Sequence, residues 1–290
     1  PMLIAAENQL AAGNLETAKQ LIDSVSQCAR QKDPITESTI LLEFVEQAIS
    51  YHFPEVALES IINATNILGR NYPEELVNLL NKSKTIGNRL ITTDKNYALG
   101  KLFLENAITA LVNLGKNDEG AKIILEGSQN FFDNEQHDLA KEMLTQISKV
   151  LSSETTPENF AEKVSQAGKM LINYNFIDEG LDQLRKSVGS YLSLAIHEPI
   201  LALSDFCLQK AIQKINKGEN IHAKYLFISA MEFSSLIDLE EQEKILTQAT
   251  TLFLESDDLY TIQELFDYAR NSLEGEKDYL NKLGRLIIVQ

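Results

Sequence analysis

The chain has 290 residues, 44% of them hydrophobic, with no tryptophan and only six prolines. Its formal net charge of -16 argues against free nucleic acid as the main partner, since neutralising phosphates takes clustered Lys and Arg, and against broad adsorption to anionic membranes. No apolar run reaches the roughly 18 residues of a membrane span, and the opening PMLIAAENQL lacks the basic start and cleavage pattern of a signal peptide.

Helical periodicity begins early. In LETAKQLIDSVSQCAR the residues Leu15, Ala18, Leu21, Ile22, Val25 and Cys28 recur at intervals of three and four, which places them on one helix face. Asp33 before Pro34 reads as an N-cap followed by a first-turn proline, where the missing N–H is not needed. Pro54 and Pro73 also stand just ahead of periodic runs, and Gly13, Gly69 and Gly115 close others. After Asp118 the apolar face runs through Gly120, Ile123, Ile124, Gly127 and Phe131. Thr156 and Pro157 repeat the cap-and-proline start, followed by Phe160, Val164, Ala167, Leu171 and Tyr174 on one face. Pro199, Gly218 and Gly275 continue the punctuation, and sustained two-residue alternation is missing throughout.

One phrase returns along the chain: AAGNLETAKQLI, YHFPEVALESII, NLGKNDEGAKII, NYNFIDEGLDQL and NKGENIHAKYLF. Each reads as helix end, polar turn, then helix start with a small residue at Ala18, Ala57, Gly120, Gly180 or Ala223. The successive spacings are 39, 63, 60 and 43, so the outer pairs fit a two-helix repeat of about 40 residues and the inner gaps leave room for extra helices. A helical hairpin cannot bury both of its sides alone, so stacking completes the core. The reading is all-α, a right-handed superhelical array of antiparallel helical hairpins resembling tetratricopeptide repeats, with about 13–14 helices. It predicts one domain over 1–290, with 238–290 as an acidic C-terminal cap; a pair of helical bundles and a HEAT-like array are the alternatives.

No phosphate-binding glycine loop, HExxH, CxxC or GxSxG is present, and His52, His137, His197 and His222 stand at no metal-ligand spacing from one another. Cys28 and Cys207 lie far apart in apolar patterns, which predicts reduced, buried thiols and a reducing compartment. Catalytic, cofactor and metal sites are therefore all expected to be absent, and the expected role is protein–protein interaction in the cytoplasm. From Asp238 to Asp278 there are twelve acidic and three basic residues. That segment is either a solvated face or a docking surface for a basic partner. The final YLNKLGRLIIVQ either packs on the preceding hairpin or leaves Leu286 and Ile287 for a partner.

From Leu203 to Leu286 the chain resembles the soluble NSF attachment proteins. The residues that carry the likeness are ALSDFCLQKAIQKINKGENIHAKYLF, LTQATTLFLESDDLYTIQELFDYARNS and KDYLNKLGRLI. The resemblance implies an adaptor without a cofactor, cytoplasmic and peripheral to membranes only through its partners. It would bind a coiled (SNARE-like) helical bundle and present it to a hexameric AAA ATPase. It also implies that Lys210, Lys214, Lys217 and Lys224 meet the bundle, while Glu255, Asp257, Asp258, Leu286 and Ile287 meet the ATPase. The alternative is a tetratricopeptide-like scaffold that binds a peptide segment in its groove.

Overall fold

The computed structural model describes residues 2–31, 33–69, 71–151, 155–256 and 258–272, the side chains of Leu239 and of residues 270–272 excepted. Every regular element among them is a helix. The chain divides into two compact units, residues 1–156 and 157–290.

The first unit holds α1 (Met2–Ala11), α2 (Leu15–Arg30), α3 (Pro34–Ser50), α4 (Pro54–Leu68), α5 (Pro73–Thr92), α6 (Tyr97–Asn113), α7 (Asn117–Asp133), α8 (His137–Thr145) and the short α9 (Ile147–Leu151). Consecutive helices pair as α1/α2, α3/α4, α5/α6 and α7/α8, and first helices of neighbouring hairpins also touch, as α1 with α3 and α5 with α7. The second unit holds α10 (Pro157–Asn173), α11 (Ile177–Ser193), α12 (Glu198–Ile215), α13 (Asn220–Ser235), α14 (Leu239–Glu255) and α15 (Leu259–Ser272). Here α10/α11, α12/α13 and α14/α15 are the hairpins, with α12 against α14, α11 against α13 and α13 against α15. Each unit is thus two layers of helices, first helices in one and second helices in the other.

The local chemistry follows the sequence closely. Asp33 caps α3, its carboxylate accepting from the Thr36 N–H at 2.7 Å and the Thr36 hydroxyl at 2.5 Å. Prolines open α3, α4, α5 and α10. In the hairpins α1/α2, α3/α4, α5/α6, α7/α8, α10/α11 and α12/α13 the chain turns through one left-handed residue. At α10/α11 this is Asn175, with φ of 73°, and the Phe176 N–H returns to the Leu171 carbonyl at 2.9 Å.

Small residues set the spacing inside each hairpin. The first helices carry Ala6, Val45, Gly87, Ser128, Gly168, Ala211 and Ala249, all buried. The second helices carry Ala18, Ala57, Gly100, Ala140, Gly180, Ala223 and Thr261, also buried. Gly168 and Gly180 show the reason. A Cβ on Gly180 would lie 2.8 Å from the Gly168 carbonyl oxygen, and a Cβ on Gly168 would lie 2.9 Å from the Gly180 oxygen. Gly87 and Gly100 face each other in the same way across α5 and α6. Gly120 makes no such approach: its nearest neighbour would be Val150 at 3.5 Å, and it stands on the first helix of its hairpin. The spacings of 63 and 60 in the recurring phrase therefore arise from mixing first and second helices. With Gly100 and Ala140 in place, the second-helix positions recur every 38–43 residues.

Buried serines pin the two helices of a hairpin together. The Ser83 hydroxyl donates to the Phe103 carbonyl at 2.9 Å, Ser187 to Ala161 at 2.7 Å and Ser204 to Ala230 at 2.7 Å. Fully buried Phe44, Phe103 and Phe131 fill the first unit, and Phe227, Phe233 and Phe253 the second. The cysteines divide. Cys207 is buried, and desolvation pushes its thiol up to about 12. Cys28 is exposed, against expectation, because the buried face of α2 is Ala18, Ile22, Ser26 and Ala29. The polar Ser26 takes an inward position, where its hydroxyl donates to the Glu37 carboxylate.

Candidate partner-binding surfaces

Of the residues nominated from the sequence, Asp257, Leu286 and Ile287 lie outside the described residues. The four lysines do not form one cluster. Lys210 and Lys214 stand one turn apart on α12; Lys210 lies 5.8 Å from the Phe206 ring, and Lys214 is paired with Glu219 at 2.7 Å. Lys217 is exposed in the turn after α12. Lys224 belongs to the other layer, on α13, where it reaches Glu264 of α15 at 2.6 Å with 14% of its side chain exposed.

The Lys224–Glu264 pair is one of several rungs between second helices of neighbouring hairpins. Lys19 of α2 meets Glu59 of α4 at 2.7 Å, Lys101 of α6 meets Glu142 of α8 at 2.6 Å, and Arg185 of α11 meets Glu232 of α13 at 3.1 Å. Lys19, Lys101 and Lys224 each directly follow the small residue of their hairpin. That repeated Ala/Gly-Lys step is the sequence signal for a rung, and it accounts for Lys224 as a contact between hairpins.

Glu255 is exposed at the end of α14. Asp258 is the N-cap of α15: its carboxylate accepts from the Thr261 N–H at 3.0 Å, the Thr261 hydroxyl at 2.9 Å and the Asn220 amide at 3.0 Å. Burial alone would raise its pKa, but these donors and the Lys224 charge outweigh it and hold the carboxyl below its ordinary value. Around these contacts stand four large side chains exposed to solvent. Ile221 is 67% exposed, Tyr225 42%, Leu259 63% and Tyr260 73%. Ile221 and Tyr225 lie one turn apart on α13, Leu259 and Tyr260 open α15, and the Asn220–Asp258 and Lys224–Glu264 contacts hold the two segments side by side. Lys224 lies 5.1 Å from the Tyr225 ring. The result is an aromatic and aliphatic patch with Asp258 and Glu264 beside it.

The first unit carries a second feature, between α2 and α4. A cavity of about 520 Å³ is lined by Asp23, Gln27 and Arg30 of α2, by Glu37 and Leu41 of α3, and by Asn63 and Asn66 of α4. A smaller one of about 250 Å³ shares Asp23, Leu41 and Asn63 and extends the groove toward Lys19 and Glu59. Glu37 is fully buried, with Arg30 clamping it: Nε donates at 3.0 and 3.2 Å and Nη2 at 2.9 Å. The sequence reading passed over this site. Its signal was a carboxylate, Glu37, on the face that Leu41, Phe44 and Ala48 make apolar.

Among the described residues no group of three or more His, Cys, Asp or Glu side chains could hold a metal ion. His222 contacts Glu219 at 3.2 Å and His137 packs at a tilt of 59° against Phe132 with ring centres 5.9 Å apart, both at hairpin turns. Among the described residues no helix is long and apolar enough to cross a membrane. The described residues offer surfaces for binding.

The sequence matches no family model and no curated protein. Two solved structures show some likeness. One is a circular tandem repeat protein with novel repeat topology and enhanced subunit contact surfaces, at 12% identity and a TM-score of 0.40 over 98% of this chain and 84% of that one. The other is the apo form of the quorum sensor NprR from B. thuringiensis, at 14% identity and a TM-score of 0.25 over 99% of this chain and 80% of that one. Likeness at this level carries no argument, and the all-α hairpin architecture stands on the chain's own helices.

Proposed function

We propose that this protein is a non-enzymatic scaffold that holds other proteins on the faces of its hairpins. The observation that carries the reading is the patch of Ile221, Tyr225, Leu259 and Tyr260, four large side chains at 42–73% exposure held together by α13 and α15. Keeping such groups in water gains nothing for folding, whereas exposed apolar patches mark interaction sites and tyrosine is enriched in binding hot spots. The acidic side chains beside the patch favour a partner with basic flanks. The reading of 1–290 as one tetratricopeptide-like array with an acidic cap over 238–290 rests on the recurring phrase and the charge distribution.

A photo-crosslinking residue placed at Tyr260 in the source cell tests this. A discrete protein adduct is expected at 260 and not at the exposed helical position Gly189, and it should vanish when Tyr225 and Leu259 are changed to Ser. Identical adduct patterns from the two positions would sink the scaffold reading at this surface. The narrower reading, a SNARE-like helical bundle passed to an AAA ATPase, has its support in the sequence likeness of 203–286. A purified AAA ATPase of the attachment-protein pathway that ignores the wild-type chain would end it. If it does bind, Leu286→Asp with Ile287→Asp should abolish binding.

A further inference from the structure

We propose that the groove between α2 and α4 binds an extended peptide segment carrying a basic side chain, a reading that rests on the scaffold function and adds a second, chemically defined site to it. Three features of the groove point to that occupant. The first is shape. The two cavities run along α2 and α4 over the α3 floor, and the Lys19–Glu59 pair at 2.7 Å closes one end.

The second is the lining. Gln27 on one wall and Asn63 and Asn66 on the other are exposed side-chain amides. Each carries both a donor and an acceptor, the pair that a peptide unit presents in return. An extended segment repeats this pair along its length, and a groove with amides on both walls can meet it without reading its side chains. Arg30 is already fixed by Glu37 and keeps further N–H groups for a carbonyl. Buried Leu41 forms an apolar floor for one inward side chain.

The third is charge. The groove's two cations are taken, Lys19 by Glu59 and Arg30 by Glu37. Asp23 lines both cavities and, with Glu16 beyond the Lys19–Glu59 pair, leaves the described lining two charges negative, although both carboxylates also act on Lys19. A Lys or Arg on the bound segment would complete Asp23. From the Lys19–Glu59 pair to Arg30 the groove follows α2 for about 16 Å at 1.5 Å per residue. At about 3.3 Å per residue an extended segment of roughly five residues fills it.

The test is selection of a displayed random heptapeptide library on the full-length chain, followed by titration of the enriched peptides as labelled synthetics. Wild type is expected to enrich peptides with one Lys or Arg position. The Asn63→Ala, Asn66→Ala double variant, both residues being exposed, should keep its circular dichroism spectrum and bind those peptides at least about tenfold more weakly. Asp23→Lys should turn the preference from basic to acidic. Enriched peptides that bind both variants as tightly as wild type, or no enrichment at all, would overturn the groove assignment. Neither result bears on the crosslink at Tyr260, so failure of the groove and failure of the scaffold reading are separable.

Discussion

Gly180 and Gly189 lie on the same helix, nine residues apart, and the same substitution at each should act with opposite sign. At Gly189 an added Cβ meets nothing within 4 Å. Alanine there removes only the entropic cost of glycine in a helix and should stabilise by about 0.5–1 kcal/mol. At Gly180 the Cβ would fall 2.5 Å from Ile172 Cγ1 and 2.8 Å from the Gly168 carbonyl oxygen. Carbon contacts settle at about 3.5–4.0 Å, so α10 and α11 must part by much of an ångström. Ile172 can turn aside, but the Gly168 oxygen is backbone and moves only with its helix. Overpacking of this kind costs about 1–3 kcal/mol, which exceeds the propensity gain. Equilibrium urea unfolding of the full chain, followed by far-ultraviolet circular dichroism, reads both variants, with separate transitions for the two units fitted separately. The midpoint assigned to residues 157–290 should rise for Gly189→Ala and fall for Gly180→Ala. A rise in both would refute the claim that the Gly168–Gly180 approach sets the hairpin spacing.

Asp258→Ala removes the N-cap of α15 and should cost about 1 kcal/mol at neutral pH. Because the folded carboxyl titrates below its ordinary 3.8, its contribution is complete above that value and is lost as pH falls through the folded pKa. Asp258→Asn should therefore flatten the acid limb of the stability profile, and an unchanged limb would refute the capping account. Among the described residues, Arg30→Ala leaves the fully buried Glu37 carboxylate with the Ser26 hydroxyl as its remaining side-chain donor. Removing one partner of an ion pair destabilises by stranding the other, and solvent around the 64%-exposed Arg30 side chain moderates that loss. Adding Glu37→Gln should recover part of that loss in thermal unfolding, whereas additive losses would show that the clamp is not what tolerates the buried charge.

Much of the helical framework was legible because its causes are local. Asp33 with Pro34 writes a helix start in two residues, and the interval-three-and-four apolar stripe of 157–174 writes its buried face. Gly13, Gly69, Gly115 and Gly218 mark chain reversals, since a positive φ costs glycine little. Where the same turn falls on His52, Lys95, Glu135 or Asn175, composition carries much less of that signal. The hairpins around Gly100 and Ala140 were obscured for that reason, their turns falling on Lys95 and Glu135.

What the sequence determined on its own is the all-helical character, the hairpin as repeating unit and the absence of recognisable catalytic motifs, each fixed by contacts within about one turn or one loop. Only the tertiary structure decided which charges are spent and which are free. Lys224 pairs with Glu264, forty residues away, at 2.6 Å, and Asp258 accepts from Thr261 and from Asn220, thirty-eight residues away. Conversely, Asn63 and Asn66 become a wall only opposite Gln27 and Asp23, on a helix from the neighbouring hairpin. Charge and hydrogen-bond partnership are set by distance in space, and stacking brings residues about one repeat apart to within a few ångströms, which sequence spacing does not display.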